Sequence, residues 1–359
     1  MRKRGRELGL PFPGRPGAFN AITDVQGVEL GQVTLISGEG ALKPGHGPVR
    51  TGVTAILPRG RAKAHVPCAA GYYSLNGNGE MTGTVWIEES GELQTPITIT
   101  NTHSCGVTRD ATIRWMVTRG LGTGQDWGLP VAAETYDGDL NDINGFHVTA
   151  EHTLAALDGA SSGPVAMGSV GGGTGMLTYD FKAGNGSSSR IVEIAGARYT
   201  LAVFVQSNFG RREDFTVLGV PAGRHLPEGK LRGKEQGSVI AIVVTDAPLM
   251  AHQLKRLARR VPLGLARTGT VGNNSSGDIF LAFSTANEQA FAQRSGRLHM
   301  EALANGDIDA LFMATVEATE EAVIDSMLCA ETMVGRDGNR AVELPADDLL
   351  SLMRRYGRI

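Results

Sequence analysis

The apolar positions of this chain follow two periods. Residues 51–57 (Thr-Gly-Val-Thr-Ala-Ile-Leu) and 238–245 (Ser-Val-Ile-Ala-Ile-Val-Val-Thr) are short β-branched runs that predict buried strands, the first stopped by Pro58. Residues 97–103 alternate apolar with polar, and 25–36 alternate loosely around Gly31, which predicts a strand pair. A hairpin is predicted from 190–193 and 199–206, turning near Gly196 and delivering Asn208 at its end, with a further strand at 216–220. Residues 131–138 make a short strand that runs into an acidic turn, where Glu134 and Tyr136 would share one side. The longer period predicts helices. Residues 108–120 carry Ile113, Met116 and Val117 at helical spacing before Gly120, and 146–157 continue the pattern. Asp246 is placed to cap a helix with Leu249, Leu254 and Leu257 facing inward. Residues 307–335 give a long helical stretch with Leu311, Val316 and Val323 on its apolar stripe and Glu317, Glu320 and Glu321 on a solvated face; 344–356 closes the chain as a short helix. Strands precede helices in two passes without a clear linker, so the expected fold is one α+β domain with helices packed on antiparallel sheets.

One junction stands apart from this pattern. Gly272-Asn273-Asn274-Ser275-Ser276-Gly277-Asp278 is a small, polar turn that runs directly into the strand-forming Ile-Phe-Leu-Ala-Phe-Ser of 279–284. A serine at such a junction would sit at the mouth of a sheet, approachable from solvent. It is either a turn without chemistry or a nucleophile. Peptide cleavage between the two serines would leave Ser276 with a free α-amine beside its own hydroxyl.

Composition narrows the function. The charges nearly balance, with 34 Lys and Arg against 37 Asp and Glu, which argues against nucleic acid or an anionic membrane as partner. The basic start lacks an apolar segment behind it and no apolar run approaches the ~18 residues of a membrane span, so a cytoplasmic protein is expected. Cys68, Cys105 and Cys329 are expected to be reduced and buried. Residues 1–20, with Pro11, Pro13 and Pro16, read as an extended arm. The glycine run at 168–175 lacks the spacing and following helix of a dinucleotide fingerprint. No HExxH or clustered ligand spacing calls for a metal or cofactor, and His103 and His147 are expected to be structural.

Several segments in order carry a family resemblance. They are Asn76-Gly77-Asn78-Gly79-Glu80-Met81-Thr82-Gly83, Ile87-Glu88-Glu89-Ser90-Gly91, Asn101-Thr102-His103-Ser104, Glu134-Thr135-Tyr136-Asp137-Gly138 and Asn141-Asp142-Ile143-Asn144-Gly145. Val170-Gly171-Gly172-Gly173-Thr174-Gly175-Met176, Ser276-Gly277-Asp278-Ile279-Phe280 and residues 314–322 complete the set. From about Ile22 to the last helix the chain resembles the L-aminopeptidase D-esterase/β-peptidyl aminopeptidase (DmpA) family. The resemblance implies a four-layer αββα sandwich and an inactive precursor that cuts itself once. Its products would be a large chain, 1–275, and a small chain, 276–359. It further implies an aminopeptidase acting on short peptides, amides or esters, some with D- or β-amino acids, assembled as a tetramer of processed pairs.

Carried over residue by residue, the resemblance puts the cleavage between Ser275 and Ser276 and makes Ser276 the nucleophile, with Ser275 the runner-up. Glu134 matches the acid that holds the substrate's ammonium. Tyr136 and Asn208 match the oxyanion-stabilising groups. Thr315 and Glu317 match a Ser/Thr-x-Glu pair that orients the nucleophile's amine, although residues two apart on a regular helix diverge by about 200°. Two rivals remain: a non-catalytic binding homologue that is never processed, and an acyltransferase of the same fold. The threonine before Met-Leu that an acyltransferase would use is absent from the central turn.

Overall fold

Where the sequence alternates, the chain forms strands. The computed structural model describes residues 2–120, 127–232, 237–293 and 295–359. The first strands are β1 (Glu29–Ser37), β2 (Val49–Leu57), β3 (Cys68–Gly77), β4 (Glu92–Leu93), β5 (Ile97–Asn101) and β6 (Val131–Thr135). After them come β7 (Leu177–Thr178), β8 (Phe181–Lys182), β9 (Asn185–Ile194), β10 (Ala197–Asn208), β11 (Gly237–Thr245), β12 (Ser276–Ser284), β13 (Met333–Val334) and β14 (Arg340–Ala341). The helices are α1 (Thr84–Ser90), α2 (Cys105–Thr118), α3 (Ala150–Asp158), α4 (Ala222–His225), α5 (Ala251–Ala258), α6 (Val261–Arg267), α7 (Glu288–Ala292), α8 (Asp309–Leu328) and α9 (Ala346–Arg355).

Two sheets stack face to face, one ordered β1-β2-β5-β6 and the other β4-β3-β12-β11-β10-β9. Strand alternation assigns each side chain to a layer. Ile240, Ile242, Val244, Ile279, Leu281 and Phe283 point between the sheets, where they meet Ile56, Ile97, Ile99 and Val131. Their neighbours Val239, Ala241, Val243, Phe280 and Ala282 point the other way, onto α5, α6 and α8. On the far side, Val53, Ala55 and Leu57 of β2 pack against Trp115 of α2 and Leu157 of α3. The result is the expected αββα sandwich. Each fully buried Ile, Leu or Phe contributes roughly 1.5–3 kcal/mol, so slipping β12 by one residue would carry that set to the wrong layer. The register of β12 is therefore fixed, and with it the position of Ser276.

Several expectations change in the folded chain. The sheets are mixed, because β5–β6 and β11–β12 are parallel pairs. A parallel pair needs a crossover, which α2 supplies in the first case and α5 with α6 in the second. Residues 216–220 form a tight turn closed by the Val217–Val220 bridge, not a strand. The helix after β11 begins at Ala251, while Asp246 accepts a hydrogen bond from the Thr200 amide instead of capping it. Of the loop expected over 226–236, residues 233–236 lie outside the described residues. The glycine run packs against backbone: a β-carbon on Gly172 would lie 2.5 Å from the Ile99 carbonyl oxygen, so only glycine lets this segment approach β5.

The acidic row of α8 is the largest correction. Glu320 and Glu321 are buried, and Glu317 is half-buried. Cations reach them from elsewhere in the fold: Arg190 lies 2.7 Å from Glu321, Arg6 lies 2.8 Å from Glu321, and Arg267 lies 3.3 Å from Glu320. The N-terminal arm is docked for the same reason. Arg4 pairs with the buried Asp325 at 2.7 Å and donates to the carbonyl oxygens of Phe19, Asn20 and Ser187, while Leu10 and Phe12 enter the core. A helix-only reading of 317–325 cannot see arginines that arrive from residues 4, 6 and 190.

Candidate active site

Strand β12 begins at Ser276, the residue immediately after the polar turn. The Ser276 amide donates to the Asn273 carbonyl oxygen at 2.9 Å, which closes the turn. The end of β3 clamps it from outside. Asn76 donates through Nδ2 to the Asn273 carbonyl at 3.1 Å and accepts through Oδ1 from the Asp278 amide at 2.9 Å. Two residues on, Asn78 Nδ2 donates to the Ser275 carbonyl oxygen at 2.7 Å. A bulge at Leu75 shifts the β3–β12 register here, with Asp278 opposite Asn76 but Ile279 opposite Ser74. The backbone approach is close: a β-carbon on Gly277 would lie 2.3 Å from the Asn78 carbonyl oxygen.

Ser276 is 1% exposed, so its hydroxyl is not presented to solvent as expected. Residues i and i+2 of a strand share a face, and Ser276 Oγ donates to Asp278 Oδ1 at 2.6 Å. Burial pushes the Asp278 carboxyl above its usual range, against the pull of hydrogen bonds from Ser276 and Asn76. Sequence reasoning assigned Asp278, Asn76 and Asn78 to a motif without giving them tasks. The signal available was the Asp two residues after the serine.

The other candidates approach the same strand end from the inner side. Asn208, the last residue of β10, stands opposite Ser238, which stands opposite Gly277. That row places Asn208 two strands from Gly277, about 10 Å at ~4.8 Å per strand, and on the face opposite the Ser276 hydroxyl. The buried Asn208 amide is fixed by its oxygen, which accepts from the Leu177 amide at 3.0 Å and from Arg232 at 2.9 Å. One of its N–H groups donates to the Tyr136 carbonyl at 2.8 Å; the other has no acceptor among the described residues. Tyr136 lies just past the end of β6, so it does not share a strand face with Glu134. Its hydroxyl has no hydrogen-bond partner among the described residues, and burial raises its pKa.

Glu134 is 2% exposed. Its Oε1 accepts from the Glu80 amide at 3.0 Å and its Oε2 from the Thr102 hydroxyl at 2.5 Å. Burial is the main cause of its raised pKa, and among the described residues no Lys or Arg pairs with it. A β-carbon on Gly79 would lie 3.1 Å from Glu134 Oε1 and 3.2 Å from Gly277 Cα, so one glycine separates this carboxylate from the start of β12.

Thr315 and Glu317 behave as helix geometry dictates. The Thr315 hydroxyl is buried and donates back to the Leu311 carbonyl at 2.8 Å, while Glu317 Oε2 lies 3.5 Å from Arg190 Nε. Among the described residues, no hydrogen bond or ion pair joins either to Ser276. His147 Nε2 is 2.9 Å from Asp142, and the exposed His103 stacks on Phe146. The three cysteines are free, with thiols pushed up to about 12 by burial.

Comparison with known proteins decides the family. The family model for peptidase family S58 matches residues 20–341. The chain belongs to peptidase family S58. Within this peptidase family it is 49% identical over 374 residues to the β-peptidyl aminopeptidase BapA of Sphingosinicella microcystinivorans, covering 99% of this chain and 93% of that one. A second β-peptidyl aminopeptidase BapA, from Sphingosinicella xenopeptidilytica, is 43% identical across 98% of this chain and 91% of its own. Among solved structures, the L-aminopeptidase D-Ala-esterase/amidase of Ochrobactrum anthropi superposes with a TM-score of 0.94 at 48% identity, covering 99% of both chains. That enzyme is a prototype of the serine aminopeptidases and a variant of the Ntn-hydrolase fold. This S58 chain is accordingly a hydrolase, a serine aminopeptidase of Ntn type. No helix of its described residues is long and apolar enough to cross a membrane.

Proposed function

We propose that this S58 peptidase cuts its own chain between Ser275 and Ser276 and then removes N-terminal residues from short peptides, amides or esters, β-amino acid substrates included. The observation that carries the reading is Glu134. A buried carboxylate that no Lys or Arg among the described residues pairs with, one glycine away from the strand that Ser276 opens, is suited to a substrate ammonium. Binding the amine there sets the distance from the substrate's terminus to the bond being broken, which is what an aminopeptidase must measure.

In this reading the Ser276 hydroxyl attacks the acyl carbon of the substrate's first residue. The α-amine freed by self-cleavage takes the proton, its reference pKa of ~7.7–8.0 being suited to that work near neutrality. The unspent Asn208 N–H and the Tyr136 hydroxyl supply donors for the oxyanion. The leaving amine takes the proton, and water resolves the acyl-enzyme. In the uncut chain the Ser276 hydroxyl and Asn208 lie on opposite faces of the sheet. Cleavage makes residue 276 a chain terminus, free to turn about its own bonds toward the inner face. Thr315 and Glu317 would then orient the amine only if α8 side chains also rearrange.

Ser276→Ala is the direct test. The expected product is one full-length chain by intact mass, with no hydrolysis of aminoacyl or β-aminoacyl p-nitroanilides. Two fragments from that variant would assign the cut to another nucleophile. The cytoplasmic setting rests on the free cysteines, and the tetramer of processed pairs on the family resemblance. Light scattering of the processed protein tests the assembly.

A further inference from the structure

The two donors proposed for the oxyanion come from different elements, Asn208 from the end of β10 and Tyr136 from just past β6. Arg232 reaches both places. Its Nη2 donates to Asn208 Oδ1 at 2.9 Å. Its Nε and Nη2 lie 2.7 and 2.6 Å from Oδ2 of Asp139, in the turn that follows Tyr136. The guanidinium side chain is 7% exposed, so water screens these contacts little. The backbone that carries it is anchored as well, because the Leu231 and Arg232 amides both donate to the buried Asp180 carboxylate at 3.1 Å.

Resting on the reading that Asn208 stabilises the oxyanion, we infer that Arg232 is the positioning residue of that donor. The guanidinium fixes and polarises the Asn208 amide and ties it to the turn behind Tyr136, acting through Asn208 and not on the substrate.

The chemistry of the contacts dictates the orientation. Arg232 and the Leu177 amide are donors only, so the atom that both meet is the Asn208 oxygen, and Nδ2 is left to face the Tyr136 carbonyl. With the amide turned over, N–H groups would meet N–H groups in a buried place, each without an acceptor. A cation on the oxygen also draws electron density from the nitrogen, which makes the unspent N–H a stronger donor to a developing negative charge. The Leu177 amide is prepared in the same way. The buried Lys182 Nζ donates at 2.9 Å to the Met176 carbonyl, the other end of the same peptide group. An ion pair that served the fold alone would need only Asp139; this fork spends a further donor on Asn208.

The test is a double-mutant cycle on the hydrolysis of aminoacyl p-nitroanilides by the processed protein, with intact mass giving the fraction cut. Asn208→Ala is expected to lower kcat by about 100-fold or more. Arg232→Met is expected to lower kcat at least about tenfold with KM within about twofold of wild type, because the oxyanion exists only in the transition state. In the Asn208→Ala background the same change is expected to cost less than about threefold, since the group it acts through is gone. Arg232→Lys keeps a cation for Asp139 and so protects the fold, but lacks the fork, and its kcat is expected between those of wild type and Arg232→Met. A kcat for Arg232→Met within about threefold of wild type, or an equal loss with and without Asn208, would overturn the positioning role and leave an ion pair that serves the fold. Asn208→Ala with kcat within about threefold of wild type would instead remove the oxyanion reading itself.

Discussion

Replacing Glu134 with glutamine is the sharpest probe of substrate recognition, because the structure lets its effect be estimated. Glutamine keeps the shape. Its carbonyl can still accept from the Glu80 amide, and its NH₂ can face Thr102, whose hydroxyl can turn to accept. What would be lost is the charge proposed to meet a substrate ammonium at this buried position. Removing one partner of a buried ion pair costs about 3–5 kcal/mol. The amide retains one hydrogen bond to the ammonium, so the lower part applies: about 3–4 kcal/mol, or roughly 10²–10³-fold in kcat/KM. The assay is hydrolysis of L-alanyl and β-alanyl p-nitroanilides, with intact mass showing that the variant is processed like wild type. The pH profile adds a second reading. Burial raises the Glu134 pKa, and only its carboxylate attracts a cation, so wild-type KM should fall as pH rises through that raised value. The variant should lose this limb. A kcat/KM within threefold of wild type, or equal turnover of N-acetylated substrates by the wild-type enzyme, would refute the assignment.

Other consequences concern stability. Asp137 is fully buried, accepts from Asn141 at 3.0 Å, has no hydrogen-bond partner for Oδ2 among the described residues, and has its carboxyl pushed up to about 7 by burial. With the folded value above the unfolded one, its contribution is complete below about pH 4 and is lost as pH rises through about 7. Asp137→Asn should flatten that part of the stability profile in urea titrations; an unchanged slope would refute it. Arg4→Ala should destabilise by about 3 kcal/mol in the same assay, because it strands Asp325 in the core and removes the arm's bonds to Phe19, Asn20 and Ser187. A loss below about 0.5 kcal/mol would mean that the arm docks without holding the fold.

Much of the scaffold could be read from the chain. The runs at 51–57 and 238–245 became β2 and β11, the expected hairpin became β9 and β10, and the 108–120 helix became α2. These segments carry their period locally, so nothing distant was needed to read them. The acid row of α8 was misread for the opposite reason: Glu317, Glu320 and Glu321 look solvent-facing until Arg190, Arg6 and Arg267 fold over them. At the site, the family resemblance pointed to Ser276, Glu134 and Asn208; residue pattern alone left the serine turn open between a plain turn and a nucleophile. The contact of the Ser276 hydroxyl with Asp278 follows from their i, i+2 spacing on one strand and was there to be read. The sequence did not reveal that Ser276 is hidden, which depends on β3 lying alongside β12. Nor could it tell that Thr315 and Glu317 face different surroundings, beyond the angle that separates them on a helix.

Strand β12 lies between β3 and β11, bonded along both edges, with α5 packed over it. A nick before its first residue would therefore produce two polypeptides but no separable subunits. Neither product could leave without tearing the middle out of a six-stranded sheet. The halves should melt together in a single transition and co-elute in native chromatography, although electrophoresis in detergent resolves them. Maturation at this position would loosen one chain end at the place of reaction while the architecture around it stays whole.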